Sequence, residues 1–314
     1  MYLGNFIKKL DKKNYRVFFS GIAFNSFHVK KDNIFFAIKG NEFDGNDYIQ
    51  DAIKKGAKII ISEKEIILQN KDIIYLKCKN PRKILAELSY KFIKKNIKKL
   101  IAVTGTNGKS SVANFYYQIL NLSKKRVASI GTIGVQLKNK KREIRNTTLN
   151  PIELSKIIND LSFKKIDHII LEASSHGLKQ NRLDGLSFDI GIFTNLSHDH
   201  LDYHKNFKDY LNSKLYLFKN LVKNGAHIIL DSTIPQFDEI KKIANKKKIK
   251  LETVFGKNSD LELITHIYKN EHQILKIKYK SQIFEIRLNL IGKIQIKNIL
   301  MAILSAVKSK LNIR

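Results

Sequence analysis

The first third of the chain alternates short apolar runs with stretches of helical periodicity. The apolar runs predict strands at 33–38, 57–62 and 73–77, and the periodic stretches predict helices at 48–55 and 81–92. A lysine-rich stretch at 93–99 follows and is typical of a linker. The pattern therefore predicts a small N-terminal α/β domain over residues 1–95.

From Leu100 the alternation of strands and helices becomes more regular. This order indicates a doubly wound, mostly parallel sheet, and we place it in a second domain over 96–314. Three strands at 261–267, 273–279 and 283–290 predict an antiparallel appendage, and a helix at 296–308 closes the chain. The intervening predicted elements are strands at 100–104, 126–130, 167–172, 188–193 and 226–230 and helices at 111–123, 151–162 and 206–222.

A glycine-rich turn directly follows the predicted strand at 100–104. Gly105 and Gly108 allow the backbone to bend with its N–H groups facing inward, and the next helix directs its positive end to the same place. Lys109 and Ser110 end the turn, where an amine can contact phosphates and a hydroxyl can bind Mg²⁺. Val103 stands where the general P-loop pattern has its first glycine, so an ordinary turn with an incidental lysine is the alternative.

Two further predicted strands end in side chains that can bind metals or phosphates. The strand at 167–172 ends in Glu172, at the edge of the sheet where α/β proteins bind ligands. The strand at 188–193 is followed by polar residues that can also bind metals or phosphates. The alternative is that they serve only in turns and helix caps. These residues are Asn195, His198, Asp199, His200, Asp202 and His204.

Charge and cysteine content restrict the function classes. The 58 Lys and Arg residues against 28 Asp and Glu give a formal charge of +30, but the lysines are spread in small groups without a nucleic-acid recognition motif. We expect no nucleic-acid partner, only solvated faces that attract polyanionic substrates. The single cysteine, Cys78, excludes an internal disulfide and favours the reducing cytoplasm, and no apolar stretch predicts membrane insertion.

Five segments together resemble the Mur ligase family, over about residues 22–306. Within the family, the resemblance is strongest to members that add the third amino acid to UDP-N-acetylmuramoyl-L-alanyl-D-glutamate in peptidoglycan biosynthesis. The segments are Thr104-Gly-Thr-Asn-Gly-Lys-Ser110, Asn146-Thr-Thr148, Glu172-Ala-Ser-Ser-His-Gly-Leu-Lys-Gln-Asn-Arg182, Phe193-Thr-Asn-Leu-Ser-His-Asp-His-Leu-Asp-Tyr-His204 and Tyr210-Leu-Asn-Ser-Lys214.

The resemblance implies an ATP-dependent ligase. ATP would phosphorylate the side-chain carboxylate of D-glutamate, and an amino acid would attack the acyl phosphate. The implied catalytic residues are Lys109, Glu172, His200 and Lys214, and the implied Mg²⁺ ligands are Ser110, Glu172, His200 and Lys214, the lysine carrying a CO₂-derived carbamate. The implied ATP contacts are Gly105, Thr106, Asn107, Gly108, Lys109, Ser110, Ser111 and Asn298.

The resemblance also implies contacts to the UDP-linked substrate. One departure concerns this region, because Asn25-Ser26-Phe27 stands where the family has Asp-Ser-Arg. The implied substrate residues are Phe24, Ser26, Asn41, Glu42, Phe43, Asn146, Thr147, Thr148, Ser174, Gln180 and Arg182.

The family's C-terminal domain, which binds the incoming amino acid, has no counterpart before Arg314. We therefore expect a truncated, monomeric form that binds ATP but ligates poorly, because domain closure assembles the site. The alternative function is a non-catalytic protein that binds a nucleotide or the UDP-linked precursor on a degenerate ligase core. Loss of ATP turnover in a Lys214→Ala variant would favour the enzyme over this alternative.

Overall fold

The computed structural model describes residues 1–5, 14–40, 42–65, 72–138, 140–200, 202–269, 272–290 and 292–312. The chain forms two compact units. Unit 1 comprises Met1–Lys94 together with Asn150–Asn159 and Gln180–Leu186, and unit 2 comprises Lys95–Leu149, Asp160–Lys179 and Ser187–Arg314. The contiguous domains 1–95 and 96–314 remain a prediction, since two later segments group with unit 1.

Unit 1 contains a four-stranded parallel sheet in the order β1-β2-β3-β4. Helix α2 begins with Pro81 at its first position, and the Asn80 side chain accepts a hydrogen bond from Lys83 N at 2.9 Å, which caps the helix. The elements are β1 (Gly21–Ala23), β2 (Asn33–Ala37), α1 (Ile49–Lys54), β3 (Ala57–Ser62), β4 (Ile74–Lys77) and α2 (Pro81–Tyr90).

The apolar run of β2 is continuous because both faces of the sheet are covered. Ile34 and Phe36 face the cluster that contains Leu85 and Leu88 of α2. Phe35 and Ala37 face the opposite cluster, which contains Ile49 and Ala52 of α1. This is the burial pattern expected of a parallel strand between helical layers.

Unit 2 contains an eleven-stranded sheet in the order β15-β14-β13-β12-β11-β10-β5-β9-β6-β7-β8. Its strands are β5 (Lys99–Thr104), β6 (Val127–Gly131), β7 (Gly134–Leu137), β8 (Lys140–Arg142), β9 (His168–Glu172), β10 (Phe188–Phe193), β11 (Val222–Asp231), β12 (Lys250–Phe255), β13 (Leu261–Lys269), β14 (His272–Tyr279) and β15 (Gln282–Leu288). Its helices are α3 (Lys109–Leu122), α5 (Ser175–Lys179), α6 (Phe207–Tyr216), α7 (Phe237–Lys246) and α8 (Lys293–Lys308), and α4 (Pro151–Phe163) has residues in both units.

The central strands β10, β5, β9 and β6 are parallel neighbours, which confirms the predicted parallel sheet. Their carboxyl ends therefore lie at one edge. The predicted appendage is antiparallel, but β13–β15 continue the same sheet through β12. The helix predicted at 206–222 ends at Tyr216 and continues as a π-helical turn, Leu217–Leu221. The predictions omitted β1, β7, β8, β12, α5 and α7.

Helices α3 and α8 pack together in the main core of unit 2. Tyr116 and Leu300 are fully buried there, and the Tyr116 hydroxyl lies 2.9 Å from Ser309 Oγ. In the part of the chain that the structure describes, no helix has the length and apolar content needed to cross a bilayer.

A buried ion-pair network connects α8 to the sheet. Glu252 on β12 lies with Oε1 2.9 Å from His227 Nδ1 on β11 and with Oε2 2.6 Å from Lys308 Nζ on α8. Burial raises the pKa of Glu252, but the hydrogen bonds from His227 and Lys308 outweigh burial and hold the pKa below its ordinary value. Ionised Glu252 therefore stabilises the fold.

We predict that Glu252→Gln lowers the free energy of unfolding by about 1–3 kcal/mol at neutral pH, because a buried charged hydrogen-bond network is broken. The wild-type advantage should shrink as the pH falls from the ordinary value of 4.5 towards the lower native pKa of Glu252, because the unfolded chain then binds a proton that the native carboxylate does not. Urea unfolding at neutral pH and at a pH below 4.5 measures the loss of unfolding free energy in Glu252→Gln. Glu239→Gln, at an exposed position, is the control. An equal loss at both pH values would contradict the assignment.

Candidate active site

The turn after β5 requires its two glycines. Gly105 has φ +147° and Gly108 has φ +84°, conformations that L side chains rarely adopt. A Cβ at Gly105 would overlap Thr194 Oγ1, and one at Gly108 would lie 2.5 Å from Asn298 Oδ1. The glycines therefore let the turn and the start of α3 pack closely against neighbouring segments.

The segment after β10 fixes the shape of this turn. Asn107 N donates to Asn195 Oδ1 at 3.0 Å, and Thr194 Oγ1 donates to Asn107 O at 2.6 Å. Ser197 N donates to Thr106 Oγ1 at 3.0 Å. Asn195, predicted only as a polar residue at a strand end, thus holds the turn in place.

Two lysines converge on one carbonyl of the turn. Lys109 Nζ donates to Gly105 O at 3.1 Å and to Thr106 O at 2.7 Å. Lys214 Nζ donates to Gly105 O at 2.7 Å. Two amines beside the N-terminus of the 14-residue helix α3 form a site suited to an anion.

Lys214 is buried, with only 1% of its surface exposed. Its Nζ lies 4.2 Å from the centroid of the Tyr210 ring. Burial lowers the pKa of Lys214 to about 6; repulsion from Lys109 also lowers it, and Asp199 opposes the change. A neutral amine is therefore accessible to Lys214 near neutral pH.

Glu172 ends β9 in a nearly closed environment. Ser110 Oγ donates to its Oε2 at 2.9 Å, and Thr132 donates through N to Oε1 at 2.9 Å and through Oγ1 to Oε2 at 3.1 Å. Burial raises the pKa of Glu172, while these hydrogen bonds and the Lys109 charge oppose the increase. A cation beside this carboxylate would favour its ionised form.

Gly131 and Thr132 were not among the predicted site residues. A Cβ at Gly131 would overlap the Glu172 carboxylate, and Thr132 donates two hydrogen bonds to it. The signal that could have found them is the end of the strand predicted at 126–130, which reaches the same sheet edge as Glu172.

The histidines have different environments. His200 is exposed, has φ 54°, and its Nε2 lies 3.5 Å from Asp199 Oδ2. His204 is buried, with Nδ1 3.5 Å from Ser213 Oγ, and its Nε2 has no hydrogen-bond partner among the described residues. His200 is therefore accessible to a ligand, whereas His204 is part of the buried interior.

Two cavities flank the turn. The first, about 340 Å³, is lined by Thr106, Asn107, Gly108, Lys109, Ser110, Ser111, Thr132, Thr147, Ser174, Ser175, His200 and Lys214. The second, about 480 Å³, is lined by Asn107, Thr194, Asn195, Ser197, Asp231, Ile234, Phe255, Lys293, Ile294, Lys297 and Asn298. Asn107 lines both cavities. The structure therefore brings most predicted phosphate and metal residues to the first cavity and Asn298 to the second.

The other predicted residues of unit 2 lie around the first cavity. Thr148 is buried, its Oγ1 donating to Glu172 O at 2.8 Å and accepting from Ser174 N at 2.9 Å, which is a structural use of the hydroxyl. Thr147 Oγ1 lies 3.0 Å from Thr132 Oγ1. Asn146 is exposed and lines neither of these two cavities.

In unit 1, the predicted substrate residues occupy several environments. Phe24 and Phe43 are exposed by 38% and 66%, and Ser26 is buried. Arg182 donates through Nε and a terminal nitrogen to Gln180 Oε1 at 3.1 and 2.8 Å. Glu42 is also exposed, and Asn41 lies outside the described residues.

The donor set fits Mg²⁺ rather than a metal held by protein ligands alone. Among the described residues, no group of three or more His, Cys, Asp or Glu side chains is placed to hold a metal. Glu172 and Ser110 offer adjacent oxygens next to an anion site. Mg²⁺ keeps several waters and binds through one or two carboxylates plus substrate phosphates.

Comparisons with known proteins agree with this geometry. The Mur ligase middle domain matches residues 103–306, and the Mur ligase family catalytic domain matches 19–93. The UDP-N-acetylmuramoyl-L-alanyl-D-glutamate–2,6-diaminopimelate ligase of Rickettsia conorii is 40% identical over 290 residues, which cover 91% of this chain and 60% of the relative. The ligase of the same name from Clostridium tetani is 34% identical, covering 100% and 65%.

Solved structures show the same fold. A UDP-N-acetylmuramoyl-L-alanyl-D-glutamate–2,6-diaminopimelate ligase superimposes with a TM-score of 0.85 at 24% identity, covering 97% of this chain and 62% of the other. The MurF ligase of Thermotoga maritima in complex with ADP has a TM-score of 0.64 at 19% identity, covering 93% and 64%. This chain thus spans about 60% of the Rickettsia relative. The Mur ligase middle domain matches more than half of this chain, so the chain belongs to the Mur ligase family.

Proposed function

We propose that this chain carries the ATP-dependent chemistry that joins the third amino acid to UDP-N-acetylmuramoyl-L-alanyl-D-glutamate in peptidoglycan biosynthesis. The observation that carries the proposal is the Ser110–Glu172 hydrogen bond of 2.9 Å, because it places a hydroxyl and a carboxylate beside the lysine of a phosphate-binding turn. The names of the relatives support the substrate, and the choice of 2,6-diaminopimelate as amino acid rests on those names alone.

The two cavities give bound ATP a direction. The second cavity contains Phe255 and Asn298, which offer an apolar surface and an amide to a nucleotide base. The first cavity contains both amines and the start of α3. A nucleotide with its base in the second cavity would pass its phosphates across Asn107, and the terminal phosphate would lie in the first cavity.

Phosphoryl transfer depends mainly on positioning and on neutralising the phosphate oxygens. Lys109 is placed to neutralise phosphate oxygens, since its Nζ donates to carbonyl oxygens of the turn and can exchange them for phosphate. Ser110 and Glu172 would hold Mg²⁺, which neutralises charge on the phosphates when bound. The acceptor would be the side-chain carboxylate of D-glutamate, giving an acyl phosphate and releasing ADP. Attack by the amine of the amino acid would then form the amide and release phosphate and a proton.

Lys214 would contribute to Mg²⁺ binding after a chemical modification of its amine. A neutral, buried amine can add CO₂, and the resulting carbamate is an anion with two oxygens for a hard cation. The Lys214 amine lines the first cavity with His200, and its lowered pKa favours the neutral form that the addition needs. We therefore propose a CO₂-derived carbamate on Lys214 and place His200 beside it as a further metal contact.

Each unit by itself offers side chains suited to the UDP-linked substrate. In unit 1, exposed Phe24 and Phe43 offer rings, and Arg182 offers a guanidinium for a carboxylate or phosphate. In unit 2, Thr147 and Ser174 line the first cavity. A monomeric state and a cytoplasmic location belong to the same proposal.

We predict that the chain binds ADP with Mg²⁺ and that Lys109→Ala weakens binding about ten-fold or more, because a charged hydrogen bond to phosphate is lost. Isothermal titration calorimetry measures the dissociation constant. Lys125→Ala, at an exposed position after α3, is the matched control. Equal affinity in wild type and Lys109→Ala would place the nucleotide elsewhere.

We predict that Lys214→Arg abolishes the carbamate, because a guanidinium stays protonated and does not add CO₂. Isotopically labelled bicarbonate should give one slowly exchanging carbamate resonance in wild type, and this resonance should disappear in Lys214→Arg. Lys208→Arg, at an exposed position on the same helix, should retain it. A resonance that survives Lys214→Arg would refute the assignment.

The experiment that tests the function itself traps the acyl phosphate. With ATP, Mg²⁺, UDP-N-acetylmuramoyl-L-alanyl-D-glutamate and hydroxylamine, the chain should form a hydroxamate of the dipeptide, with one ADP released for each hydroxamate. Omitting the dipeptide, or substituting Lys109→Ala, should remove the product. Nucleotide binding without any hydroxamate would favour the alternative of a binding protein on a ligase core.

A further inference from the structure

Two consecutive serines follow β9, and the structure uses them differently. Ser174 Oγ accepts a hydrogen bond from Gly177 N at 3.1 Å, which caps the short helix α5. Ser174 N donates to Thr148 Oγ1 at 2.9 Å. Ser174 therefore already serves the local fold.

Ser175 has no such task. It is only 2% exposed, and its Oγ has no hydrogen-bond partner among the described residues. A buried hydroxyl without a partner costs free energy, so each case in a folded protein needs an explanation such as a missing ligand. Ser175 lines the first cavity, where a ligand could supply the partner.

The surroundings indicate the charge of that ligand. Lys109 and Lys214 line the same cavity, with the hydroxyls of Ser110 and Thr132. The carboxylate beside these hydroxyls, Glu172, already accepts three hydrogen bonds from Ser110 and Thr132. The amines and the Ser175 hydroxyl are donors, so a ligand of this cavity should bring negatively charged acceptors. Phosphate oxygens are acceptors of this kind.

The position of Ser175 bears on which phosphate group its hydroxyl would contact. Ser175 lines the first cavity but not the second, whereas Asn107 lines both. If the base occupies the second cavity, the end of the phosphate chain lies farthest into the first. We propose that the Ser175 hydroxyl donates a hydrogen bond to the terminal phosphoryl group of a bound nucleoside triphosphate. This inference rests on the proposed function, in which the turn binds ATP.

The test compares two nucleotides on Ser175→Ala. The dissociation constant of a non-hydrolysable ATP analogue with Mg²⁺ should rise about ten-fold, because a hydrogen bond to a charged group is lost. The dissociation constant of ADP with Mg²⁺ should stay within about two-fold, since ADP lacks the terminal phosphoryl group. The melting temperature of the free chain should not fall, because the removed hydroxyl had no partner.

Ser305→Ala is the matched control. Ser305 is a buried serine of α8 whose Oγ donates to Met301 O at 2.7 Å, so its substitution perturbs packing without touching either cavity. Its nucleotide affinities should equal those of wild type. An unchanged analogue affinity in Ser175→Ala, an equal loss for ADP, or a lower melting temperature would overturn the inference. Failure of wild type to bind either nucleotide would instead refute the proposed function.

Discussion

The buried carboxylate of Glu172 is the constraint on which the site depends. It ends β9, and it is held by Ser110 from the start of α3 and by Thr132 after β6. Those contacts require three neighbouring strands to end at one edge and require glycine at position 131, where a side chain would overlap the carboxylate. Parallel strand order and local chemistry thus combine to place one acid beside the phosphate turn.

The turn itself is held in shape by neighbouring segments of the chain. Hydrogen bonds with Thr194, Asn195 and Ser197 hold the backbone at Asn107 and the Thr106 side chain, and two lysine amines contact the Gly105 carbonyl. Burial lowers the pKa of both Lys109 and Lys214, since a buried charge costs free energy, and repulsion from Lys109 lowers the pKa of Lys214 further. An anion in the first cavity would offset that cost, so the arrangement favours phosphate binding; without an anion, the same burial favours a neutral Lys214.

The sequence predicted the parts of this site that follow from strand ends. The apolar run before Gly105 and the run before Glu172 are regular enough to position both residues at one sheet edge. Thr132 also follows a predicted strand end, at 126–130, although the predicted site did not include it. Ser175 could not be found this way, because its importance lies in a tertiary hydrogen bond that is missing. Lys214 has no local signal in a lysine-rich helix, and only its register with the other family motifs selected it.

The most direct test of the central claim is the position of the metal. A crystal of the chain grown with ADP and Mn²⁺ in place of Mg²⁺ would locate the ion by its anomalous scattering. The account predicts one Mn²⁺ within coordination distance of Ser110 Oγ or Glu172, on the side of the first cavity, with the phosphates over the turn at Gly105–Ser110. A nucleotide bound away from that turn, or a Mn²⁺ without contact to either residue, would contradict it.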